Sequence, residues 1–375
     1  MQETLHRLLA DDSRRLDSFE AESVELVVTS PPYPMIAMWD ELFTQLDPEI
    51  GRLLASGDGV AAYAAMHRAL DPVWSELYRV LRPGCLLCLN VGDAARSLAG
   101  RFRLYSNHSR LLERLIELGF QSLPLILWRK PTNAPTKFMG SGMLPAGAYV
   151  TLEHEYILLL RKGGKREFRT DDERARRRRS AYFWEERNSW FSDRWELRGR
   201  RQRLNPAEQK EGAEAGRGRS ASFPFELAYR LICMFSAEAD LVLDPFLGTG
   251  TTLHAAIAAG RSSVGIELDP LLVAECEKGL PLLGPELNLF LAERLARHVE
   301  FAAKATAADG RSLVFRYRNA HHGVPVMTSQ EVDLRIDLVD SIRPVATSTY
   351  AASYCPVPKK ALAESSDPTS LGHIS

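Results

Sequence analysis

Two short stretches of this chain carry residue types suited to an amine and a nucleoside. The first is Ser30-Pro31-Pro32-Tyr33. The Ser30 hydroxyl and the Pro31 carbonyl, held outward by a rigid Pro-Pro turn, are two neighbouring hydrogen-bond acceptors. Acceptors placed on both N–H bonds of an exocyclic base amine would favour pyramidal nitrogen and free its ring-delocalised lone pair. Tyr33 could then stack on the face of the base. The second stretch is Asp244-Pro245-Phe246-Leu247-Gly248-Thr249-Gly250-Thr251-Thr252. Its glycines let the backbone approach a ligand, and the following helix aims free N–H groups at it. Glu267, 23 residues after Asp244, could accept both hydroxyls of a ribose. No P-loop lysine is present, and the third glycine of a pyrophosphate-binding G-x-G-x-x-G is missing. Asp244 would repel a diphosphate but suits an ammonium. A ligand with a ribose, an ammonium and no phosphate is S-adenosylmethionine. The competing reading is a bare strand–turn–helix corner with no ligand, which requires several coordinated residues to coincide.

Both stretches need strand ends to present them. The β-branched run Glu25–Thr29 predicts a strand that the prolines stop, after a helix in the preceding residues from position 5. Val73, Leu77 and Val80 predict a helix, and Arg82-Pro83-Gly84 turns it into a strand over Cys85–Val91. Further strands are expected at Leu123–Trp128, Tyr156–Leu160, Leu241–Leu243 and Ser263–Ile266, the last ending at Glu267. Strands alternating with helices indicate an α/β fold with a parallel sheet covered on both faces. Such sheets bind ligands beyond the carboxyl ends of their strands.

The balance of 45% hydrophobic and 25% charged residues in 375 positions is that of a chain with a real core. The apolar runs are far shorter than the roughly 20 residues needed to cross a bilayer. With no signal pattern at Met1-Gln2-Glu3-Thr4, a cytoplasmic location and no membrane partner are expected. The net charge of -1 conceals a basic stretch: residues 161–219 hold 19 Arg and Lys against 11 Asp and Glu. A basic segment in an otherwise acidic chain suggests a polyanion held in one place. Cys85 and Cys88 form a C-x-x-C with no second pair nearby, inside a run that reads as a buried strand, so core packing rather than metal is expected. His154, His254 and the pair His321-His322 are read as surface or structural, since amine methylation needs neither metal nor imidazole.

Thr29-Ser30-Pro31-Pro32-Tyr33 together with Asp244-Pro245-Phe246-x-Gly248-x-Gly250-Thr251-Thr252 resembles the amino-methyltransferases of DNA. The catalytic motif precedes the cofactor motif, as in their beta class. The resemblance spans roughly residues 10–130 and 223–280, and includes Asp12-Ser13, Arg79–Gly84 and Trp128-x-Lys130. It implies a Rossmann-like, S-adenosylmethionine-dependent methyltransferase sheet, circularly permuted, with an inserted DNA-recognition segment. The implied units are 1–160 and 223–285 as two halves of the core, 161–222 as the target-recognition segment, 286–355 as a C-terminal extension and 356–375 as a solvated tail. The resemblance also implies cofactor contacts at Asp244, Pro245, Phe246, Gly248, Gly250, Thr251 and Thr252, with Glu267 on the ribose and Asp12 at the adenine end. Asp11 rivals Asp12, because the family usually has Gly where Asp11 stands. A Ser at position 30 goes mainly with cytosine N4 in this family, and Asp or Asn mainly with adenine N6. Carbon-5 methylation is disfavoured because no cysteine follows a proline. The implied partners are double-stranded DNA and a cognate restriction endonuclease.

A target base must leave the stack, so the enzyme has to grip DNA. Arg176, Arg177, Arg178 and Arg179 are expected to neutralise phosphates. Arg187, Asn188, Trp190 and Arg194, within the aromatic run Tyr182–Trp195, are expected at the bases. The opposing reading makes the aromatics a small satellite core and the arginines a solvated face.

Overall fold

The computed structural model describes residues 3–130, 139–140, 145, 148–197, 223–307 and 315–358. Ten strands form the path of its main sheet: Thr4–Ala10 (β1), Val24–Thr29 (β2), Leu81–Val91 (β3), Ile126–Arg129 (β4), His154–Lys162 (β5), Arg194–Glu196 (β6), Leu241–Asp244 (β7), Ser262–Glu267 (β8), Asp337–Ala346 (β9) and Thr349–Pro356 (β10). Their order is β6-β4-β5-β3-β2-β7-β8-β1-β10-β9. The five central strands, β3-β2-β7-β8-β1, are parallel. Antiparallel β5 and β10 flank them. Ala10, Thr29, Val91, Asp244 and Glu267 therefore end on one rim.

The central strands are buried on both faces, which is why they read as almost continuous apolar runs. Side-chain alternation splits them between two cores: Leu26, Val28 and Val242 face one side, Val24, Val27 and Leu243 the other. Helices Phe225–Phe235, Thr251–Ala258 and Gly284–Ala307 cover the first face with Leu227, Leu231, Leu253, Ile257, Leu291 and Leu295. Helices Gly59–Val80 and Asn107–Glu117 cover the second with Leu70, Trp74, Leu77, Leu111 and Leu115. Cys85 and Cys88 are both buried in β3. Among the described residues no helix is long and apolar enough to cross a membrane.

The expected N-terminal helix is instead the strand β1. Leu5, Leu8 and Leu9 sit at helical spacing, but the chain buries Thr4, His6 and Leu8. Inside the sheet, His6 Nδ1 lies 2.8 Å from Ser263 Oγ and its Nε2 lies 2.7 Å from Thr4 Oγ1. These partners meet the ring's polar needs, and burial holds its pKa at about 3. Residues 286–355, expected as a C-terminal extension, contribute β9 and all but the last residue of β10 to the same sheet. Most of the expected tail, 359–375, lies outside the described residues, as does 198–222 of the recognition segment.

The irregular stretch of β3 between Leu81 and Leu86, where its register with β2 shifts, depends on Gly84, whose φ is +84°. A Cβ there would lie 2.5 Å from the Arg166 Cα and 2.6 Å from its backbone nitrogen. Gly84→Ala is expected to destabilise the fold by at least about 2 kcal/mol, measured by denaturant unfolding. A change within error would show that this backbone can move aside.

Candidate active site

Asp244 closes β7 and is 3% exposed. Thr29 Oγ1 donates to its Oδ1 at 2.6 Å, and Thr252 Oγ1 to its Oδ2 at 2.6 Å. The Phe246 N–H adds a bond to Oδ1 at 3.0 Å. These links tie the catalytic strand β2, the cofactor loop and the helix Thr251–Ala258 to one carboxylate. The loop turns through Gly248 and Gly250, with φ of +54° and +83°. Glu267 closes β8 and accepts the N–H groups of Gly248, at 2.9 Å, and Asp269, at 3.1 Å. Beyond β1, the Ser13 hydroxyl donates to the Pro245 carbonyl.

Asp11 and Asp12 both line the cavity at this rim. Arg14 donates to Asp12 through Nε at 2.9 Å and Nη2 at 2.6 Å, holding that carboxyl below the usual carboxylate range. Asp11 Oδ1 accepts the Asp12 N–H, and its side chain is exposed.

Burial pushes the Asp244 carboxyl up to about 6, against the pull of its threonine and backbone partners. The folded value lies above the unfolded one. The stability gained from holding this proton is therefore present below about pH 4 and lost as pH rises through about 6. Asp244→Asn removes the titration. Its stability relative to the parent should improve by about 1–3 kcal/mol between pH 4 and pH 7, measured by unfolding without ligand. A pH-independent difference would contradict this.

Ser30, Pro31, Pro32 and Tyr33 line the same cavity as Asp12, Asp244 to Gly248, Thr251 and Glu267. The volume is about 620 Å³, within the range for a drug-sized ligand. Met38, Trp39 and Leu42, from the turn and helix around Asp40–Leu46, form a further wall with Phe223 and Leu272. Ser30 Oγ and Tyr33 Oη are 2.8 Å apart. Tyr33 Oη donates to Glu155 Oε2 at 3.1 Å. The Asn90 amide donates to Tyr33 Oη at 2.9 Å and to Glu155 Oε2 at 2.7 Å. Lys130 pairs with Glu155 Oε1 and lies 4.5 Å from the centre of the Trp128 ring. Burial and the neighbouring carboxylate raise the Tyr33 phenol well above its ordinary pKa, so it stays protonated.

Asn90 and Glu155 belong to this corner, and the motifs alone do not point to them. Glu155 stands beside His154 in a segment that reads as structural. Asn90 sits near the carboxyl end of β3, where the rule that singles out Ser30 and Asp244 applies equally.

The arginine run is placed elsewhere. Arg179 pairs with Glu238 at 2.5 Å, and nearby Arg166 pairs with Asp240, which immediately precedes β7. Both acids lie at the opposite, amino-terminal rim of the sheet. Arg176 pairs with Asp172 and Arg178 with Asp333, while Arg177 lies 4.9 Å from the Phe168 ring. Arg178 and Arg179 thus tie the helix Asp171–Arg179 to the body, the Arg176 pair lies within the helix, and none of the four lines the cavity. Trp190, expected at a base, is 7% exposed and packed in the core with Phe183 and Trp195, as the satellite-core reading has it. Arg187 and Asn188 are exposed, with Arg187 5.9 Å from the Phe191 ring. Arg194 pairs with Glu196. None of these three lines the cavity.

The cavity's donor set suits a cationic nucleoside. Carboxylates of Asp11, Glu41, Asp244, Glu267 and Asp269 line it, while the Arg14 charge is matched by Asp12. A phosphate would meet repulsion there, whereas a sulfonium, an ammonium and a ribose would meet acceptors.

Comparison with known proteins agrees with that chemistry. A family profile described as DNA methylase, of the N6/N4 type, matches residues 24–278. The type II methyltransferase M.MthZI of Methanothermobacter thermautotrophicus is 44% identical over 364 residues, 95% of this chain and 97% of that protein. M.MjaI of Methanocaldococcus jannaschii, also a type II methyltransferase, is 49% identical over 306 residues, 78% of this chain and 97% of its own. A proposed DNA modification methylase of Thermus thermophilus, solved in complex with S-adenosyl-L-methionine, is 34% identical with a TM-score of 0.55, covering 73% of this chain and 92% of that one. The match runs through both rim loops and the strands that carry them, and the chain belongs to the N6/N4 DNA methylase family.

Proposed function

We propose that the chain transfers a methyl group from S-adenosylmethionine to the exocyclic N4 of cytosine in double-stranded DNA, as the modification enzyme of a restriction system with a cognate endonuclease. The observation that carries this reading is a neutral hydroxyl, Ser30, opening into the same cavity as the carboxylates Asp244 and Glu267. The order of motifs along the chain, catalytic before cofactor, supports a circularly permuted arrangement of the beta-class kind.

The cofactor supplies a methyl carbon made electrophilic by its sulfonium. Glu267, oriented by two backbone N–H groups, accepts the ribose hydroxyls. Asp244 faces the ammonium, Asp11 or Asp12 meets the adenine end, and Pro245 to Thr249 with Thr251 shape the floor, while Gly250 and Thr252 do not line it. Ser30 Oγ and the Pro31 carbonyl accept from the amine of an extruded base, orienting its lone pair towards the methyl carbon. Tyr33 flanks the base. No strong base is needed to start the attack, because the donor's positive charge is neutralised as its carbon–sulfur bond breaks.

Mass spectrometry of nucleosides from DNA of a methylation-deficient host expressing the chain tests this reading. N4-methylcytosine is expected, and N6-methyladenine as the sole modified base would overturn the cytosine assignment.

A further inference from the structure

A nitrogen that takes a methyl group must lose a proton, and a serine hydroxyl and a proline carbonyl are both poor places to leave it. The carboxylate joined to Ser30 through hydrogen bonds is Glu155, 9% exposed and one hydroxyl removed. We propose that this proton leaves through Ser30 and Tyr33 to Glu155, which is its terminal acceptor. This route presumes amine methylation in this cavity, as proposed above, but not which base supplies the amine.

Counting donors fixes its direction. Tyr33 has one proton, donated to Glu155 Oε2 at 3.1 Å. The Asn90 amide nitrogen donates towards both Tyr33 Oη and Glu155 Oε2, so it takes no proton from the tyrosine. The 2.8 Å contact between Ser30 and Tyr33 must then be donated by Ser30. With its only proton committed, Ser30 Oγ faces the cavity as an acceptor, the polarity that an amine N–H requires. Lys130 holds the other carboxylate oxygen, and its partly exposed ammonium marks a way to water. A Cβ on Gly92 would lie 3.1 Å from the Tyr33 ring and 3.2 Å from Glu155 Cγ, so the bare backbone there lets the two meet.

The step balances. The amine lone pair forms the N–C bond, and the C–S pair stays on sulfur. The N–H pair returns to nitrogen as its proton passes to Ser30 Oγ. The Ser30 proton passes to Tyr33 Oη, and the Tyr33 proton to Glu155 Oε2. One carboxylate becomes a carboxylic acid, which then loses its proton to water. The tyrosine never has to ionise, in keeping with its buried, strongly protonated phenol.

Glu155→Gln keeps the shape and an oxygen that accepts from Tyr33, but it cannot take the proton. The single-turnover methyl-transfer rate of the full chain should fall about 100-fold or more, with cofactor and DNA dissociation constants within about twofold of the parent. Tyr33→Phe should fall similarly, and the double variant no further than the slower single one. Formate should restore part of the rate lost in Glu155→Ala. A parental rate in Glu155→Gln, multiplying effects in the double variant, or loss of cofactor binding together with rate would each overturn the relay, the last by making Glu155 structural. Nucleoside mass spectrometry of the parent's product keeps the two failures apart. Absence of any methylated amine would refute amine methylation itself, whereas a methylated amine with an unimpaired Glu155→Gln refutes the relay alone.

Discussion

Ser30→Ala is expected to lower the methyl-transfer rate by about 100- to 1000-fold, with the cofactor dissociation constant within about twofold of the parent. The substitution removes an acceptor that matters most as the amine becomes tetrahedral, and losing one such oriented contact is worth about 3–4 kcal/mol in the transition state. It also cuts the first link to Tyr33 and Glu155. The cofactor contacts are spared because Asp244 and Glu267 take their bonds from Thr29, Thr252 and backbone N–H groups, not from Ser30. Rapid-quench single turnovers and calorimetry separate the two quantities. A parallel loss of rate and cofactor affinity would mean that Ser30 supports the loop rather than the reaction.

The second large effect falls on the other loop. Glu267→Ala should weaken cofactor binding by about 100-fold or more, since hydrogen bonds to a charged acceptor contribute about 1.5–3 kcal/mol each and a ribose offers two. The Gly248 and Asp269 N–H groups also lose their shared acceptor, which loosens the turn. Glu267→Gln keeps one carbonyl oxygen and should lose less. Unchanged affinity in Glu267→Ala would place the ribose elsewhere.

The rim was legible because strand ends betray themselves. Prolines stop β2, and a short apolar run delivers Asp244 into a glycine-bearing turn, so both loops could be assigned to one edge. β1 was not legible: its inward positions are Thr4 and His6, satisfied by Ser263 and Tyr354, which lie far along the chain. A local pattern cannot reveal such partners, and Leu5, Leu8 and Leu9 imitate a helix. The packing of the aromatic run was hidden for the same reason. Tyr, Trp and Arg together suit a base as well as a core, and only the Arg294–Glu186 pair, 2.6 Å across the helices, with Tyr229 Oη 2.8 Å from Arg294, shows that this run is packed inward. Nor could the arginine helix show locally that Arg179 and Arg178 pair with Glu238 and Asp333, far along the chain.

Stability and chemistry meet at Asp244. An ionised carboxylate buried there opposes folding in the absence of ligand, yet a carboxylate facing a cation is what the site requires. Such tension is usual where a binding group is held ready before its ligand arrives.

The most direct test is a crystal structure of the chain with S-adenosylhomocysteine and a duplex carrying its target site. The account predicts an extruded base whose amine is hydrogen-bonded to both Ser30 Oγ and the Pro31 carbonyl, pointing at the sulfur across a gap of about one methyl group. A base held away from Ser30, or a nucleoside bound outside the cavity between Asp244 and Glu267, would contradict it.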